Sequence, residues 1–193
     1  MSWLSRRIEI LHARLAERDD PRPESIVLPD PAPETARAVI VSFYMDNIRR
    51  GVVAAQRRLL ARFLPDGVAV RQIRTAMKHG PALDAFLAAN RYRTVIVLDI
   101  DCVPIAEGAL ERLIDGAEAG RLIGTASCAS HLATERHPFI GPFGMALSME
   151  LYDRLGRPSC VATARGDVAE ELTFAAERIG APIEWPRPNS FCR

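Results

Sequence analysis

The segment that most constrains the fold of this chain is TVIVLDID at residues 94–101, where an apolar run ends in two aspartates. Its apolar residues are consecutive and mostly β-branched, which indicates a strand with both faces buried, as in parallel sheets. Asp99 and Asp101 are expected to share one side, because side chains alternate along a strand. Ligand sites of open α/β sheets lie at the carboxyl ends of strands, so this segment predicts an α/β domain with an acidic ligand site.

The rest of the chain alternates strand-like and helix-like segments around this run. Further strands are predicted at residues 38–44, 68–75 and 121–127. Helices are predicted at residues 51–64, 81–91, 105–120 and, after Asp167, up to Gly180. This alternation predicts a three-layer α/β/α sandwich with a mostly parallel sheet.

Two segments are predicted to precede this domain, which occupies residues 38–193. Residues 1–20 carry an amphipathic helix, whose apolar stripe over residues 3–18 is expected to pack on the domain or on a second copy of the chain. The stripe consists of Leu4, Ile8, Leu11 and Leu15. A membrane-surface role for this helix is the less favoured alternative. Residues 21–37 are predicted to be a proline-rich linker that is extended and not packed.

The composition narrows the classes of function. With 25 Lys+Arg against 24 Asp+Glu, the formal net charge is +1, which argues against a nucleic-acid partner held by bulk positive charge. No apolar run approaches the roughly 20 residues of a membrane span, and the first residues lack the apolar stretch of a secretory signal. The four cysteines form no C-x-x-C pair, so we expect reduced thiols in a cytoplasmic protein.

The two carboxylates that end the central run predict a cation site. Carboxylates this close repel each other, and both stay ionised most easily around a divalent cation or strong hydrogen-bond donors. Oxygen ligands suit Mg²⁺ or Mn²⁺, which would bridge to the phosphates of a ligand. The alternative is a pair of solvated aspartates at the junction between a strand and a loop.

The run ALDAFLAANRYRTVIVLDIDCVPIAEGALERL at residues 82–113 resembles the core of inverting family 2 glycosyltransferases of the GT-A fold. Asp99, Asp101 and Pro104 match the D-x-D motif of that family and the proline that follows it. Residues 141–156 resemble the segment that lines the acceptor region. The resemblance implies that both aspartates hold Mn²⁺ or Mg²⁺ and the diphosphate of a nucleotide-sugar donor. The sugar would then pass to an acceptor hydroxyl.

The donor-binding residues of the family are only partly matched. Its acidic loop after the second strand, which grips the nucleobase, has no counterpart in this sequence. Phe43, Tyr44 and Asp46, at the end of the first strand, are the predicted substitutes. Candidates for phosphate contact, with a solvated loop as the alternative at each, are Arg71, Arg74, Lys78 and His79.

Two further groups of residues are candidates for the sugar and the metal. Gly141, Phe143 and Gly144 either let the backbone approach a sugar closely or form a turn. The C-terminal tail lacks the histidine that some relatives use as an additional metal ligand. His131 and His137 are the candidates to replace it, and hydrogen bonding at the surface or in the core is their alternative role.

A second acidic cluster, Asp167, Glu170 and Glu171, precedes a predicted helix that ends at Gly180. The resemblance implies that one of the three is the general base that deprotonates the acceptor hydroxyl, with Asp167 as first choice. The alternative is structural, because Asp167 as N-cap and Glu170 as third helical residue would form a capping box.

Other functions stay open beside the transferase. The segments LDIDCV and GDVAEE also resemble haloacid-dehalogenase-type phosphatases, with Asp99 as nucleophile, Asp101 as acid/base, and Asp167 and Glu171 on Mg²⁺. A non-catalytic GT-A-like domain that acts as a binding or assembly module is the third possibility. Nucleotidyltransferases share the fold, but the glycine-rich loop that they need after the first strand is absent.

Overall fold

Residues 94–98 of the apolar run form a central strand of a six-stranded sheet in the computed structural model, which describes residues 23–129 and 137–185. The strands are β1 Ala38–Tyr44, β2 Val68–Arg74, β3 Thr94–Leu98, β4 Leu122–Cys128, β5 Pro138–Ser148 and β6 Ile183–Glu184. Their order across the sheet is β2-β1-β3-β5-β4-β6. Strand β3 therefore lies between β1 and β5, and β2 lies on the far side of β1.

The sheet is mostly parallel, as predicted. Strand β1 pairs in parallel with both β2 and β3, and β4 pairs in parallel with β6. Strand β5 is antiparallel to both of its neighbours, β3 and β4. Within the described sheet, β5 alone runs against the other five strands, so the carboxyl ends of β1, β2 and β3 meet at one edge.

Helices cover both faces of the sheet, which confirms the three-layer architecture. They are α1 Arg50–Phe63, α2 His79–Ala89, α3 Ala109–Glu118, α4 Met149–Arg154 and α5 Glu170–Ile179. Helices α1 and α3 pack on one face, called here the α1 face, and α2, α4 and α5 pack on the opposite α2 face. In the two described ranges, no helix has the length and apolar character needed to cross a membrane.

The pleat of β1 and β3 divides the core between these two faces. Val39 and Val97 belong to the core of the α2 face, whereas Ile40 and Ile96 belong to the core of the α1 face. All five residues of β3 are buried. Because full burial of a side chain of this size contributes about 1.5–3 kcal/mol, the central strand is strongly fixed in its register.

Several elements differ from the sequence expectations, most clearly the end of β3 and the start of α3, and the structure adds strands β5 and β6 and helix α4. Strand β3 ends at Leu98 instead of residue 101, because the chain turns there and the Cys102 amide donates to the carbonyl of Asp99 at 2.8 Å. Helix α3 begins at Ala109 instead of residue 105, after a stretch without regular structure. Strand β5 was not predicted, because glycines and Pro142 interrupt its apolar pattern.

The described part of the proline-rich segment, residues 23–37, packs on the domain. The amide of Val70 donates to the carbonyl of Pro29 at 2.9 Å, and the Tyr92 hydroxyl donates to Asp30 at 3.0 Å. The prediction that this segment is not packed is therefore wrong over residues 23–37, because the carbonyl of Pro29 accepts a hydrogen bond from edge strand β2. The amphipathic helix predicted over residues 3–18 lies outside the described residues.

Candidate functional site

The two aspartates of the D-x-D motif lie in a tight turn directly after β3, at the edge where the parallel strands end. The amide of Asp99 points to β5, with its nitrogen 3.5 Å from the carbonyl of Phe143. The Asp99 side chain is 38% exposed, and Asp101 is exposed. Neither is thus buried in the core, and both carboxylates are accessible from solvent.

The Asp99 carboxylate faces helix α2. Its Oδ1 lies 3.6 Å from Nδ1 of His79, the first residue of that helix. Partial burial raises the pKa of Asp99, the nearby Asp101 charge raises it further, and His79 opposes both effects. A carboxylate whose ionised form is disfavoured in this way gains from an added cation.

The residues predicted to bind the donor base divide into two groups. The ring of Phe43 lies beside the His79 ring, with centroids 5.9 Å apart, and so lies close to the Asp99 side of the turn. Tyr44 is half-buried. Asp46 is exposed and bonded to Arg74, whose guanidinium holds the pKa of that carboxyl below its usual range. Phe43 therefore adjoins the D-x-D turn, whereas Asp46 is already paired.

The basic candidates for phosphate contact differ in the contacts that their side chains make. Arg71 donates to the Tyr92 hydroxyl at 3.1 Å and to Asp30 at 3.2 Å, so it fastens the proline-rich segment to β2. Lys78 is exposed at the start of α2. His79 is the basic candidate whose side chain contacts Asp99.

Helix α2 connects the D-x-D turn to the segment that precedes α5. At Gly80, a Cβ atom would lie 2.7 Å from the carbonyl oxygen of Cys160 and 2.8 Å from the Cα of Val161, so only glycine permits this approach. Asp84 accepts from the Cys160 amide at 2.6 Å, and the Ala169 amide donates to the Cys160 carbonyl at 3.0 Å. These contacts place the start of α5 on the same face as the Asp99 side chain.

Glu170, at the start of α5, is completely buried and has two partners. Its Oε1 lies 2.9 Å from Nδ1 of His137, and its Oε2 accepts from the backbone amide of Asp167 at 2.7 Å. The predicted N-cap is wrong, since Ala169, with a φ of 65°, occupies that position and Glu170 is the first helical residue. The bond from the glutamate back to the Asp167 amide, which is half of a capping box, is nevertheless present.

Glu171 is held by an ion pair. Its carboxylate accepts two hydrogen bonds from the guanidinium of Arg165, one of them from Nε at 2.7 Å. The bond to Arg165 holds the pKa of Glu171 below its ordinary value. Asp167 is the least engaged of the three acids: it is half-buried, and its Oδ1 accepts at 2.8 Å from the amide of Val168 next to it.

His137 belongs to the α5 cluster and not to the D-x-D turn. Its Nε2 lies 3.1 Å from both carboxylate oxygens of Glu177, and its ring stacks on Phe174 at a centroid distance of 4.3 Å. His131 lies outside the described residues. Within residues 23–129 and 137–185, no three His, Cys, Asp or Glu side chains are grouped so that they could hold a metal ion. The D-x-D aspartates thus stand as a pair.

Gly141, Phe143 and Gly144 lie in an irregular part of β5. There Gly124 pairs with Met145 and the next paired residue of β4 is already opposite Ile140, so β5 carries extra residues at this point. A Cβ atom on Gly141 would lie 2.2 Å from the Phe143 ring. The sequence left open a turn or a close approach to a sugar, and in the structure the space beside Gly141 is filled by a side chain of the protein itself.

No protein-family model matches the chain, and no curated protein matches its sequence. Solved structures do resemble its fold. The mannosyltransferase PcManGT from Pyrobaculum calidifontis, solved with GDP-Man and Mn²⁺, has a TM-score of 0.54 and 14% identity, over 92% of this chain and 61% of that one. The bifunctional IspDF from Campylobacter jejuni has a TM-score of 0.51 and 14% identity, over 81% of this chain and 51% of that one.

The chain has a GT-A-like fold. It shares with both structures a sheet flanked by helices, and it spans between about half and three-fifths of the length of the two chains compared. A structural similarity at 14% identity establishes the architecture alone.

Sequence reasoning missed one residue of the site, Gln56 on helix α1. This glutamine is completely buried, and its side-chain amide donates to the carbonyls of Asp99 at 2.7 Å and Cys102 at 2.9 Å. The sequence signal for it is a polar residue on the buried, otherwise apolar stripe of an amphipathic helix. A buried amide needs hydrogen-bond partners, so such a residue is expected to bind another part of the chain.

Proposed function

We propose that this protein is a metal-dependent glycosyltransferase, which moves a sugar from a nucleotide-diphosphate donor to an acceptor hydroxyl. The observation that carries the proposal is the accessible Asp99 and Asp101 pair at the carboxyl end of the central strand of a GT-A-like sheet. Ligands of open α/β sheets bind at this edge. The acids of α5 lie on the same face, at the start of a helix.

The oxygen ligands that Asp99 and Asp101 offer fit Mn²⁺ or Mg²⁺. Carboxylate oxygens are hard ligands, and Mg²⁺ is commonly bound by one or two carboxylates together with substrate phosphates and water. Asp99 and Asp101 supply two carboxylates, so the donor diphosphate supplies further oxygens in this proposal. When bound, the cation would neutralise the charge that develops on the leaving diphosphate. We therefore expect metal and nucleotide to bind together much more tightly than the metal alone.

Asp167 is the residue that we propose as general base. Glu170 is buried between His137 and a backbone amide, and Glu171 is paired with Arg165, so neither carboxylate is free to accept a proton from a substrate. Asp167 keeps one carboxylate oxygen beyond its bond to the neighbouring amide. In this role it would remove the proton of the acceptor hydroxyl as that oxygen attacks the sugar.

Two observations favour this reaction over its rivals. Nucleotidyl transfer needs a cradle of backbone amides after the first strand, and residues 45–49, which connect β1 to α1, contain no glycine. The phosphatase arrangement needs Glu171 near the D-x-D aspartates on Mg²⁺, whereas Glu171 is held by Arg165. Phe43 and His79, beside Asp99, are the residues that we place next to the donor.

A thermal-shift experiment tests the proposal. The wild-type protein is expected to be stabilised by GDP-mannose or UDP-glucose with Mn²⁺, and much less by either component alone, because a ligand that binds the folded state raises its stability. The double variant Asp99→Asn/Asp101→Asn should lose this stabilisation. The control is Glu34→Gln/Asp66→Asn, which makes the same charge change at two exposed carboxylates preceding β1 and β2.

Three outcomes would contradict the proposal. Wild-type protein that responds to no nucleotide would indicate a binding or assembly module. An equal response in the Asp99→Asn/Asp101→Asn variant would remove the aspartates from the site. Hydrolysis of para-nitrophenyl phosphate with Mg²⁺, lost on Asp99→Asn, would instead support the phosphatase.

A further inference from the structure

We infer that Gln56 is a positioning residue, which fixes the backbone of the D-x-D turn so that its aspartates are held ready for the cation and the diphosphate. This inference rests on the proposed function. Gln56 lies on α1, on the opposite face of the sheet from the Asp99 carboxylate and His79. It touches no proposed ligand and acts through the turn.

Both amide hydrogens of Gln56 are used on the same turn. Nε2 donates to the carbonyl of Asp99 at 2.7 Å and to the carbonyl of Cys102 at 2.9 Å. The two carbonyls belong to the first and last residues of the turn, which is itself closed by the bond from the Cys102 amide to the Asp99 carbonyl. One side chain therefore bridges the turn across its ends.

The orientation of the Gln56 amide is fixed by hydrogen bonds on its oxygen side, away from the turn. The Oε1 atom of Gln56 accepts from Nε2 of Gln72 on β2 at 2.8 Å, and Oε1 of Gln72 accepts from Nε of Arg57 at 2.6 Å. Because the guanidinium of Arg57 can only donate, Gln72 must present its oxygen to Arg57 and its amide to Gln56. The same logic makes Gln56 present its amide to the turn.

The bridge has a direct consequence for the two aspartates. It holds the Asp99 carbonyl towards α1, while the Asp99 side chain contacts His79 of α2 on the other face. Residues 102–105 have no regular structure, so no helix or strand hydrogen bonds fix the C-terminal side of the turn. Ordering the turn before the ligand arrives reduces the entropy lost on binding, and it also holds two carboxylates close together despite their repulsion.

Gln56→Met tests this inference, with Gln72→Met as the matched control. The first substitution keeps the length of the side chain and removes both bonds to the turn. The second disturbs the same buried network and leaves both of those bonds possible. Calorimetry with Mn²⁺ and GDP-mannose measures binding, amide hydrogen exchange measures order in residues 99–105, and thermal unfolding without ligand measures stability.

We expect Gln56→Met to weaken binding of Mn²⁺ and GDP-mannose by about 10- to 100-fold, the usual effect of removing a partner that orients metal ligands. Exchange at the Cys102 amide should become faster. Gln72→Met should change ligand binding and amide exchange much less than Gln56→Met does, even if both variants lower the unfolding temperature by the same amount. Gln56→Asn, which keeps the amide but is one methylene too short to bridge the turn, should be intermediate and guards against failure of Gln56→Met to fold.

The possible failures are distinguishable. Unchanged exchange in residues 99–105 of the Gln56 variants would overturn the bridge itself, whatever the ligand does. Faster exchange with unchanged binding would overturn its role in positioning the aspartates. Equal losses of binding in Gln56→Met and Gln72→Met would reduce Gln56 to a structural residue. Wild-type protein that binds neither nucleotide nor metal would overturn the proposed function and the positioning role together. Amide exchange in the Gln56 variants would still show whether Gln56 holds the turn.

Discussion

The acidic cluster of the D-x-D turn and the acidic cluster at the start of α5 differ in what surrounds their carboxylates. Asp99 and Asp101 are accessible, and protein contacts hold the backbone of their turn. Glu170 and Glu171 are engaged through the carboxylates themselves, by His137, a backbone amide and Arg165. We expect a carboxylate that is already satisfied to stabilise the fold, and an accessible carboxylate on a turn with a fixed backbone to be able to accept a ligand.

Within the second cluster, Asp167 is the acid whose carboxylate is least engaged by the protein. Its substitution should give the largest change of all, which is a loss of activity. Asp167→Asn is expected to lower the release of nucleotide from the donor by about 10²–10⁴-fold, the usual contribution of general base catalysis. Binding of GDP with Mn²⁺ should be nearly unchanged, since this carboxylate is not proposed to touch either. Turnover that survives in Asp167→Asn and disappears in Glu171→Gln would move the role to Glu171.

Glu170 should be the acid that matters most for stability. Glu170→Ala removes a buried carboxylate, its bond to the Asp167 amide and its contact with His137, so we expect a loss of about 2–4 kcal/mol in the free energy of unfolding. Urea denaturation measures this, with Asp101→Asn as the exposed control. A cost no greater than that of the control would show that the buried bonds of Glu170 contribute little.

Substitution of Glu171 should change the free energy of unfolding least, and this change should depend on pH. Its ion pair with Arg165 is largely exposed on the arginine side, so Glu171→Gln should cost under about 1 kcal/mol at pH 7. Because Arg165 lowers the pKa of Glu171, this stabilisation is present above the ordinary value of 4.5 and is lost as the pH falls through the lowered pKa. Comparison of wild type and Glu171→Gln from pH 7 to pH 3 should show the difference disappearing at the acid end.

Most of the fold could be predicted from sequence because its signals are local. The apolar runs of β1 and β3 and the helical spacing of α1 depend only on neighbouring residues, and all three elements are confirmed. Strand β5 could not be predicted in this way, since it is formed by pairing with β3 and with β4 on either side of the irregular part, where a Cβ atom on Gly141 would meet the Phe143 ring. Such contacts join residues that the local pattern treats separately.

The candidate site was predictable to a smaller extent. The D-x-D pair is visible because two acids interrupt an apolar run. The partners of Glu170 and Glu171 are not visible, since His137 is distant in sequence and nothing local pairs Arg165 with one acid and not another. Gln56 lies 43 residues before Asp99, so its contact with the turn depends on how α1 packs on the sheet.

The contacts of the two clusters should respond differently to salt. The Gln56 bridge consists of neutral amide and carbonyl groups, so dissolved ions screen it very little. The pair between Arg165 and Glu171 is attraction between opposite charges near the surface, which weakens as the Debye length falls from about 10 Å at 0.1 M to about 3 Å at 1 M. Concentrated salt would therefore loosen the attachment at the start of α5 while the D-x-D turn keeps its shape.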